Sequence, residues 1–524
     1  MQLQTEIERA VALHRRGQLH EAEQLYRSIL RAAPQHFAAA HGLGVLCLQR
    51  GTPEQGESWL ALATRVNPGS AGAHHDRGLA LRSLGRLEEA IASFDTAIAL
   101  RPDFAAAHYH RGNALLRMMQ SEAALASFDA TIALKPDHFA AFNDRGNALR
   151  ELNRLEDALA DYERAVALRP DQAIAHCNLG FALQDLGRFD EALASYNRAI
   201  ALDPALHQAR QSRGTLELLQ GRMTEGFADF EYRLRSDEGA LDPRLRSISY
   251  WSGESLGGKS ILVYSDGAFG DLVQFCRYLP LLVAQGAQVA LSAPARFHRI
   301  LGTASLGVRS VSSPAEIGTA DYRCELMSLP YLFKTELASI PSCVDHLARD
   351  PERTERWRKT LPADFKVGIC WQGNPARNID AGRSIPLTAF YPISRVPGVH
   401  LISLQKHHSL EQLHILPAGM QVETPGPPFD DGADAFVDTS AVMANLDVIV
   451  TSDTGVAHLA AALGRPTWIA LRYVPEWRWL LGRADSPWYP TVRLFRQKRP
   501  DDWISVFEEI AAALQEMVAS RPAV

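Results

Sequence analysis

The sequence predicts a two-part chain: an all-α superhelix of stacked helix pairs over residues 1–240, then an α/β domain whose two parallel-sheet halves cover 241–364 and 365–524. Three observations predict it. Four residue positions recur with a period of 34. The recurrence stops after Asp242, where short apolar runs start to alternate with helical stretches. A polar segment, 349–364, is then followed by a fresh strand pattern, so the alternation occurs twice.

The repeats come first. Prolines stand at Pro34, Pro68, Pro102, Pro136, Pro170 and Pro204, and glycines at Gly44, Gly78, Gly112, Gly146, Gly180 and Gly214. Small residues follow in phase at Gly56, Ala90, Ala124, Ala158, Ala192 and Gly226, then large apolar ones at Leu60, Phe94, Phe128, Tyr162, Tyr196 and Phe230. Extrapolated backwards, Ala10, Ala22 and Tyr26 make a less regular first unit, so seven units fit between residues 3 and 240. The physical reading is a helix pair. The glycine lets two helices approach, the large residue fills the gap and proline ends the second helix. The seventh unit has Glu238 where its proline would stand. Four positions holding phase in this way resemble the tetratricopeptide repeat.

A solenoid of such pairs exposes the first helix of each unit on its concave side. Asp76, His110, Asp144 and Asn178 recur two residues before the glycines, with Ser212, and Asn113 and Asn147 one residue after. They form a polar ladder that suits the backbone of an extended peptide, and a solvated polar surface is the plainer alternative. His74, His75, His108 and His176 recur in phase and read as packing residues.

In the second part, strands are expected at Ser260–Tyr264, Gln288–Leu291, near Val308 and Tyr322, at Phe365–Trp371, His400–Leu404, Val448–Thr451 and Thr467–Leu471. One helix is expected from Leu272 to Ala284, and another from Val456 to Leu463. Ligands of parallel sheets bind at the carboxyl ends of strands, so the loops there carry the chemistry. Two loops are informative. Asp266-Gly267-Ala268-Phe269-Gly270-Asp271 permits a tight turn, with Asp271 at a helix start. On spacing alone Asp271 reads as an N-cap, worth about 1 kcal/mol. Thr451-Ser452-Asp453-Thr454-Gly455 offers hydroxyls and backbone N–H groups at a helix N-terminus, where an anion can sit.

The segments G-D-L-V-Q-F-C-R-Y-L-P-L-L (270–282) and S-D-T-G-V-A-H-L-A-A-A-L-G-R-P (452–466) resemble the heptosyltransferase-type GT-B glycosyltransferases, in order and in separation. The resemblance runs over roughly 258–515 and implies a GT-B fold of two Rossmann-like halves. It implies Asp271 as general base. It also implies that Asp453, Thr454, Gly455 and His458 contact the phosphate and sugar of a nucleotide-sugar donor. Arg383-Ser384-Ile385-Pro386 matches the family's phosphate-contacting basic residue, with arginine for lysine and isoleucine for tryptophan. Lys406 is a second candidate. The family plan implies inversion by direct displacement. No D-x-D occurs, so no metal-bridging signature is present and no cofactor beyond the donor substrate is implied.

With the tail D-S-P-W-Y-P-x-x-R-L-F-R-Q (485–497), the whole is similar to bacterial tetratricopeptide-linked glycosyltransferases, some of which modify flagellin. The resemblance therefore implies a protein acceptor recruited by the repeats, and the polar ladder of Asp76, His110, Asn113, Asp144, Asn147 and Asn178 is the face expected to contact it. A glycan or lipid-linked acceptor, and a scaffold without turnover, are the alternatives.

Composition agrees with an expected cytoplasmic protein. The net charge of −6 and the lack of a basic run argue against nucleic acid as the main partner. The six cysteines are scattered, which suits reduced, buried thiols. Met1–Leu13 reads as an amphipathic helix rather than a secretory signal, and no run of 18 apolar residues occurs.

Overall fold

The computed structural model describes residues 2–236, 242–265, 268–302, 306–312, 316, 320–342, 347, 349–375, 382–426, 429–432 and 434–520. Asp266 and Gly267 of the first loop, Glu238 and Cys343 lie outside these. The chain divides into two compact units, Met1–Leu206 and His207–Val524.

The first unit is six helix pairs: α1 (Gln2–Arg15) with α2 (Leu19–Ala32), α3 (Phe37–Gln49) with α4 (Pro53–Val66), and α5 (Ala71–Ser83) with α6 (Leu87–Leu100). They continue as α7 (Ala105–Arg117) with α8 (Ser121–Leu134), α9 (Phe139–Glu151) with α10 (Leu155–Leu168), and α11 (Ala173–Asp185) with α12 (Phe189–Leu202). The phased glycines do what their spacing suggests. A Cβ placed on Gly78, Gly112, Gly146 or Gly180 would lie 2.5–2.7 Å from the ring of Phe94, Phe128, Tyr162 or Tyr196. Only a hydrogen leaves room for the aromatic, and all four rings are fully buried. The histidines also act locally. His74, His108 and His176 hydrogen-bond the carbonyls of Pro68, Pro102 and Pro170 at 3.0, 2.9 and 3.0 Å, fastening each helix to the preceding turn.

The second unit opens with the seventh pair, α13 (His207–Leu219) and α14 (Met223–Phe230), so the division falls one pair before the expected boundary at 240. The reason is packing. Phe227 and Phe230 lie 5.7 and 6.0 Å from the Trp477 ring, and Leu481 N–H donates to Leu219 O. Arg233, just past α14, pairs with buried Glu325 and donates to Ser328 at 2.8 Å.

Two five-stranded parallel sheets follow. The first comprises β1 (Ser249–Tyr250), β2 (Ser260–Tyr264), β3 (Gln288–Ser292), β4 (Arg309–Val311) and β5 (Tyr322–Glu325), in the order β1-β5-β2-β3-β4. The second comprises β6 (Phe365–Cys370), β7 (Val399–Ser403), β8 (Val448–Ser452), β9 (Thr467–Leu471) and β10 (Val492–Arg496), in the order β10-β9-β8-β6-β7. Every strand of β8 and β9 is buried along its length, as a parallel sheet covered on both faces requires. Helix Trp503–Ala519 closes one face, with Phe507 4.3 Å from Phe390.

Two expectations change. The helix expected from Leu272 to Ala284 is broken into helix Phe269–Phe275, a 3₁₀ turn Cys276–Tyr278 and helix Leu279–Ala284. Pro280 lacks the N–H that an uninterrupted helix would use and instead starts a new one. β1 and β10 were not anticipated, because β1 is only two residues long and the alternation of β10 lies inside the tail motif. The five described cysteines are buried and form no disulfide. Among the described residues no helix is long and apolar enough to cross a membrane.

Candidate functional site

β2 and β8 end at loops that lead into helices Phe269–Phe275 and Gly455–Ala462, and the first turns of those helices touch. Glycines set the approach. A Cβ on Gly270 would lie 3.1 Å from His458 Cδ2, and one on Gly455 would lie 3.1 Å from Phe269 Cδ1. Phe269 is stacked on Phe436 with ring centroids 4.0 Å apart, which joins the two halves over an apolar contact.

Asp271 stands in the first turn of its helix, but Ala268 is the N-cap and no side chain caps it. The N-cap reading is therefore replaced by another contact. Asp271 Oδ1 accepts from Arg478 Nη2 at 2.5 Å. Arg478 also donates from Nε to Gln274 Oε1 at 2.6 Å and from Nη1 to Glu476, whose other oxygen accepts the Arg478 backbone N–H at 2.9 Å. Burial opposes the charge of Arg478, yet the carboxylates of Glu476, Asp271 and Asp453 more than offset it and raise its pKa. Glu476 is raised to about 7, by burial first and by Asp453 and Asp271, against the pull of Arg478. A carboxyl group held there is poised to exchange a proton near neutrality.

Across the contact, Asp453 and Thr454 are buried, and Thr454 is the N-cap of helix Gly455–Ala462 without a side-chain cap bond. Ser452 Oγ is buried with no hydrogen-bond partner among the described residues. Arg383 Nη1 lies 3.7 Å from Asp453 Oδ2, so the structure brings these two expected donor contacts together. Free helix N–H groups, two hydroxyls and a guanidinium in one place make an anion-binding arrangement. His458 faces inward. Its Nδ1 shares a 3.0 Å hydrogen bond with the Tyr489 hydroxyl, and its ring stacks on Trp479. Burial, then Arg478, Arg277 and Arg383, push its pKa well below the usual histidine range, so it is a neutral wall of the site. Lys406 is held elsewhere. Its Nζ donates to the carbonyls of Phe429, at 2.7 Å, and Asp430.

Among the repeats, the ladder residues bond to side chains of their own and neighbouring helices. Asp76 accepts from His41 at 2.8 Å and His75 at 2.9 Å; burial would raise its pKa, but these bonds hold it down at about 2. Burial and Arg82 press His110 down to about 3, and Arg82 Nη1 lies 3.2 Å from His110 Nδ1. Asp144 accepts from Tyr109 and Asn143, and Asn113 adds side-chain bonds to Tyr109 and Asp144. Asn147 accepts from Tyr162, and the buried Asn178 donates to Asn143 at 2.9 Å. Each of these six residues has a side-chain partner, so the ladder is not a row of free groups.

Sequence reasoning missed Glu476, Arg478, Gln274 and Tyr489. One signal was present: V-P-E-W-R-W (474–479) sets two opposite charges among tryptophans just past a parallel strand.

Comparisons with known proteins bear on both parts. Tetratricopeptide repeat families match residues 13–75, 78–118, 146–187 and 173–206. Glycosyltransferase family 9 (heptosyltransferase) matches residues 435–473, which include Asp453 to His458. Protein FlbA of Caulobacter vibrioides is 26% identical over 331 residues, covering 59% of this chain. The chain spans about half the length of that curated relative, 55% of it. MamA from Desulfovibrio magneticus RS-1, from residue 41 to its end, is 27% identical over 35% of this chain and 96% of that one, with a TM-score of 0.31. YrrB, described as a TPR protein with an unusual peptide-binding site, is 18% identical over 35% of this chain and 95% of its own, with a TM-score of 0.32. Together the family matches support a glycosyltransferase-like protein carrying tetratricopeptide repeats.

Proposed function

We propose that this chain is a GT-B-type glycosyltransferase that moves a sugar from a nucleotide-sugar to a protein acceptor brought by its repeats. The observation that carries the reading is the pairing of two loops at strand ends. One offers the N-terminus of helix Gly455–Ala462 with Ser452, Thr454 and Arg383; the other offers the carboxylate Asp271. Glycosyl transfer needs a proton acceptor for the attacking hydroxyl and charge relief for the departing phosphate. Asp271 supplies the first. The helix N-terminus and Arg383 supply the second, while Asp453 faces the sugar hydroxyls and His458 walls the pocket. Lys406 serves by fixing the 429–431 loop. Displacement by the acceptor oxygen on the face opposite the phosphate inverts the sugar carbon. In the repeats, Asp76, His110, Asn113, Asp144, Asn147 and Asn178 form the rigid floor on which an extended acceptor segment lies, and flagellin is the first acceptor to examine.

The test is direct. Host proteins, flagellin first, are compared by intact mass in cells with and without this gene, and the purified chain is assayed for nucleotide release from a panel of nucleotide-sugars. A sugar-sized mass difference with matching nucleotide release is expected. Unchanged masses and no release from any donor would overturn the reading.

A further inference from the structure

Arg478 and Glu476 follow β9 and have no part in the reading above, yet they sit against its carboxylate. Arg478 spends its guanidinium on four partners from two halves of the unit: Asp271 and Gln274 of helix Phe269–Phe275, Met327 Sδ at 3.7 Å, and Glu476 of its own loop. Its Cζ lies 4.5 Å above the Trp477 ring and 5.5 Å from that of Phe275. Trp477 in turn is enclosed by Phe227 and Phe230 of α14, and by Phe275 and Trp488. A planar fork that is stacked below and bonded at its rim has one orientation. Most of it is hidden, with 12% of the side chain exposed.

We propose that Arg478 is the positioning residue of this site, holding Asp271 from one half and Glu476 from the other in a single charged cluster seated on Trp477. Its catalytic meaning rests on the transferase reading; the cluster itself does not. Asp271 is aimed because the guanidinium fixes one of its oxygens and with it the orientation of the carboxylate. With Glu476 ionised, Arg478 and Glu476 neutralise each other, so proton uptake by Asp271 takes the cluster from one net negative charge to zero. Asp453 faces it from the donor loop side and His458 lies within the field of Arg478, while Arg277 and Arg383 act in turn on His458.

The experiment uses the full chain with Arg478→Met, Arg478→Lys, Glu476→Gln and the double variant Arg478→Met/Glu476→Gln. Thermal unfolding is followed by tryptophan fluorescence, because eight of the nine tryptophans lie in His207–Val524. Removing the arginine leaves carboxylates facing one another. The Arg478→Met midpoint should therefore drop several degrees further at roughly pH 8 than at roughly pH 5. Arg478→Lys should recover part of that drop, and the double variant should lose the pH dependence. A residue that only fills space would lower the midpoint equally at every pH, and that result, or failure of Glu476→Gln to rescue, overturns the proposal. If Arg478→Met does not fold, the same comparison of Arg478→Lys with and without Glu476→Gln decides. In nucleotide-sugar turnover, Arg478→Lys should lower kcat and leave KM near wild type. A wild-type chain without turnover sinks the transferase reading, while the pH comparison still decides for or against the cluster.

Discussion

Asp271 and Arg478 come from different halves of the sheet-bearing unit and form an ion pair. The place of Asp271 after Gly270 at the start of a helix was legible, because a glycine-acid pair opening a helix is a local pattern. Its partner was not, because Arg478 lies in a distant loop and reaches it only when two sheets fold against each other. Since Asp271 does not cap its helix, Asp271→Asn keeps the backbone geometry and one hydrogen-bond acceptor for Arg478. Transfer should fall by about 10²–10⁴, the usual size of a lost general base, with nucleotide-sugar binding retained in calorimetry. Wild-type transfer by this variant would remove Asp271 from the chemistry. Glu476 makes a different prediction. Its pKa, raised by burial from 4.5 to about 7, means the folded state binds its proton more tightly than the unfolded chain does. The stabilisation is present below the unfolded value and is lost as pH rises through about 7. Glu476→Gln should flatten the fall in unfolding midpoint over that window. A parallel fall in both proteins would show that another group titrates there.

Within the repeats, the turn between the two helices of a pair needs one residue with positive φ, and the phase supplies it at Gly17, Gly51, Gly85, Gly187 and Gly221. Two units depart: Met119 takes the position at φ 59° and Asn153 at φ 57°. Asparagine tolerates that region, whereas a long apolar side chain does so at a cost of about 1–2 kcal/mol. Met119 is also 59% exposed, so little burial offsets the strain. Met119→Gly should raise the stability of the first unit by about 1 kcal/mol, and Asn153→Gly should change it by less, as urea midpoints can measure. Equal gains at both would show that the backbone is not the cause. This glycine series was available in the sequence as a second 34-residue phase, hidden behind the stronger proline and aromatic signals. The polar ladder was legible as a ladder. Its internal bonding was not, since Asp76, Asp144 and Asn178 take partners 35 residues away, from His41, Tyr109 and Asn143. Period reveals which residues share a face, and leaves open whether that face bonds to itself or to a ligand.

At the scale of the whole chain, the period marks where a repeat lies but not what it packs against. Gly214, Gly226 and Phe230 keep phase with the six pairs before them, which put the boundary at 240. The structure groups α13 and α14 with the sheets, through contacts that the period cannot encode. Phe227 and Phe230 are 2% and 7% exposed, both against Trp477, and Arg233 is buried with Glu325. A fragment beginning at residue 241 would uncover Trp477 and leave Glu325 buried without its cation. Breaking such a pair costs about 3–5 kcal/mol, and exposing each large apolar side chain about 1.5–3 kcal/mol more. That is comparable to the whole stability of an ordinary domain, about 5–15 kcal/mol. A fragment from residue 207 keeps every one of these contacts. We therefore expect 207–524 to be soluble, to unfold cooperatively and to resist limited proteolysis, and 241–524 to aggregate or be digested. If 241–524 proves as stable as 207–524, the last helix pair is dispensable to the sheets, and the Trp477 seat beneath Arg478 does not depend on it.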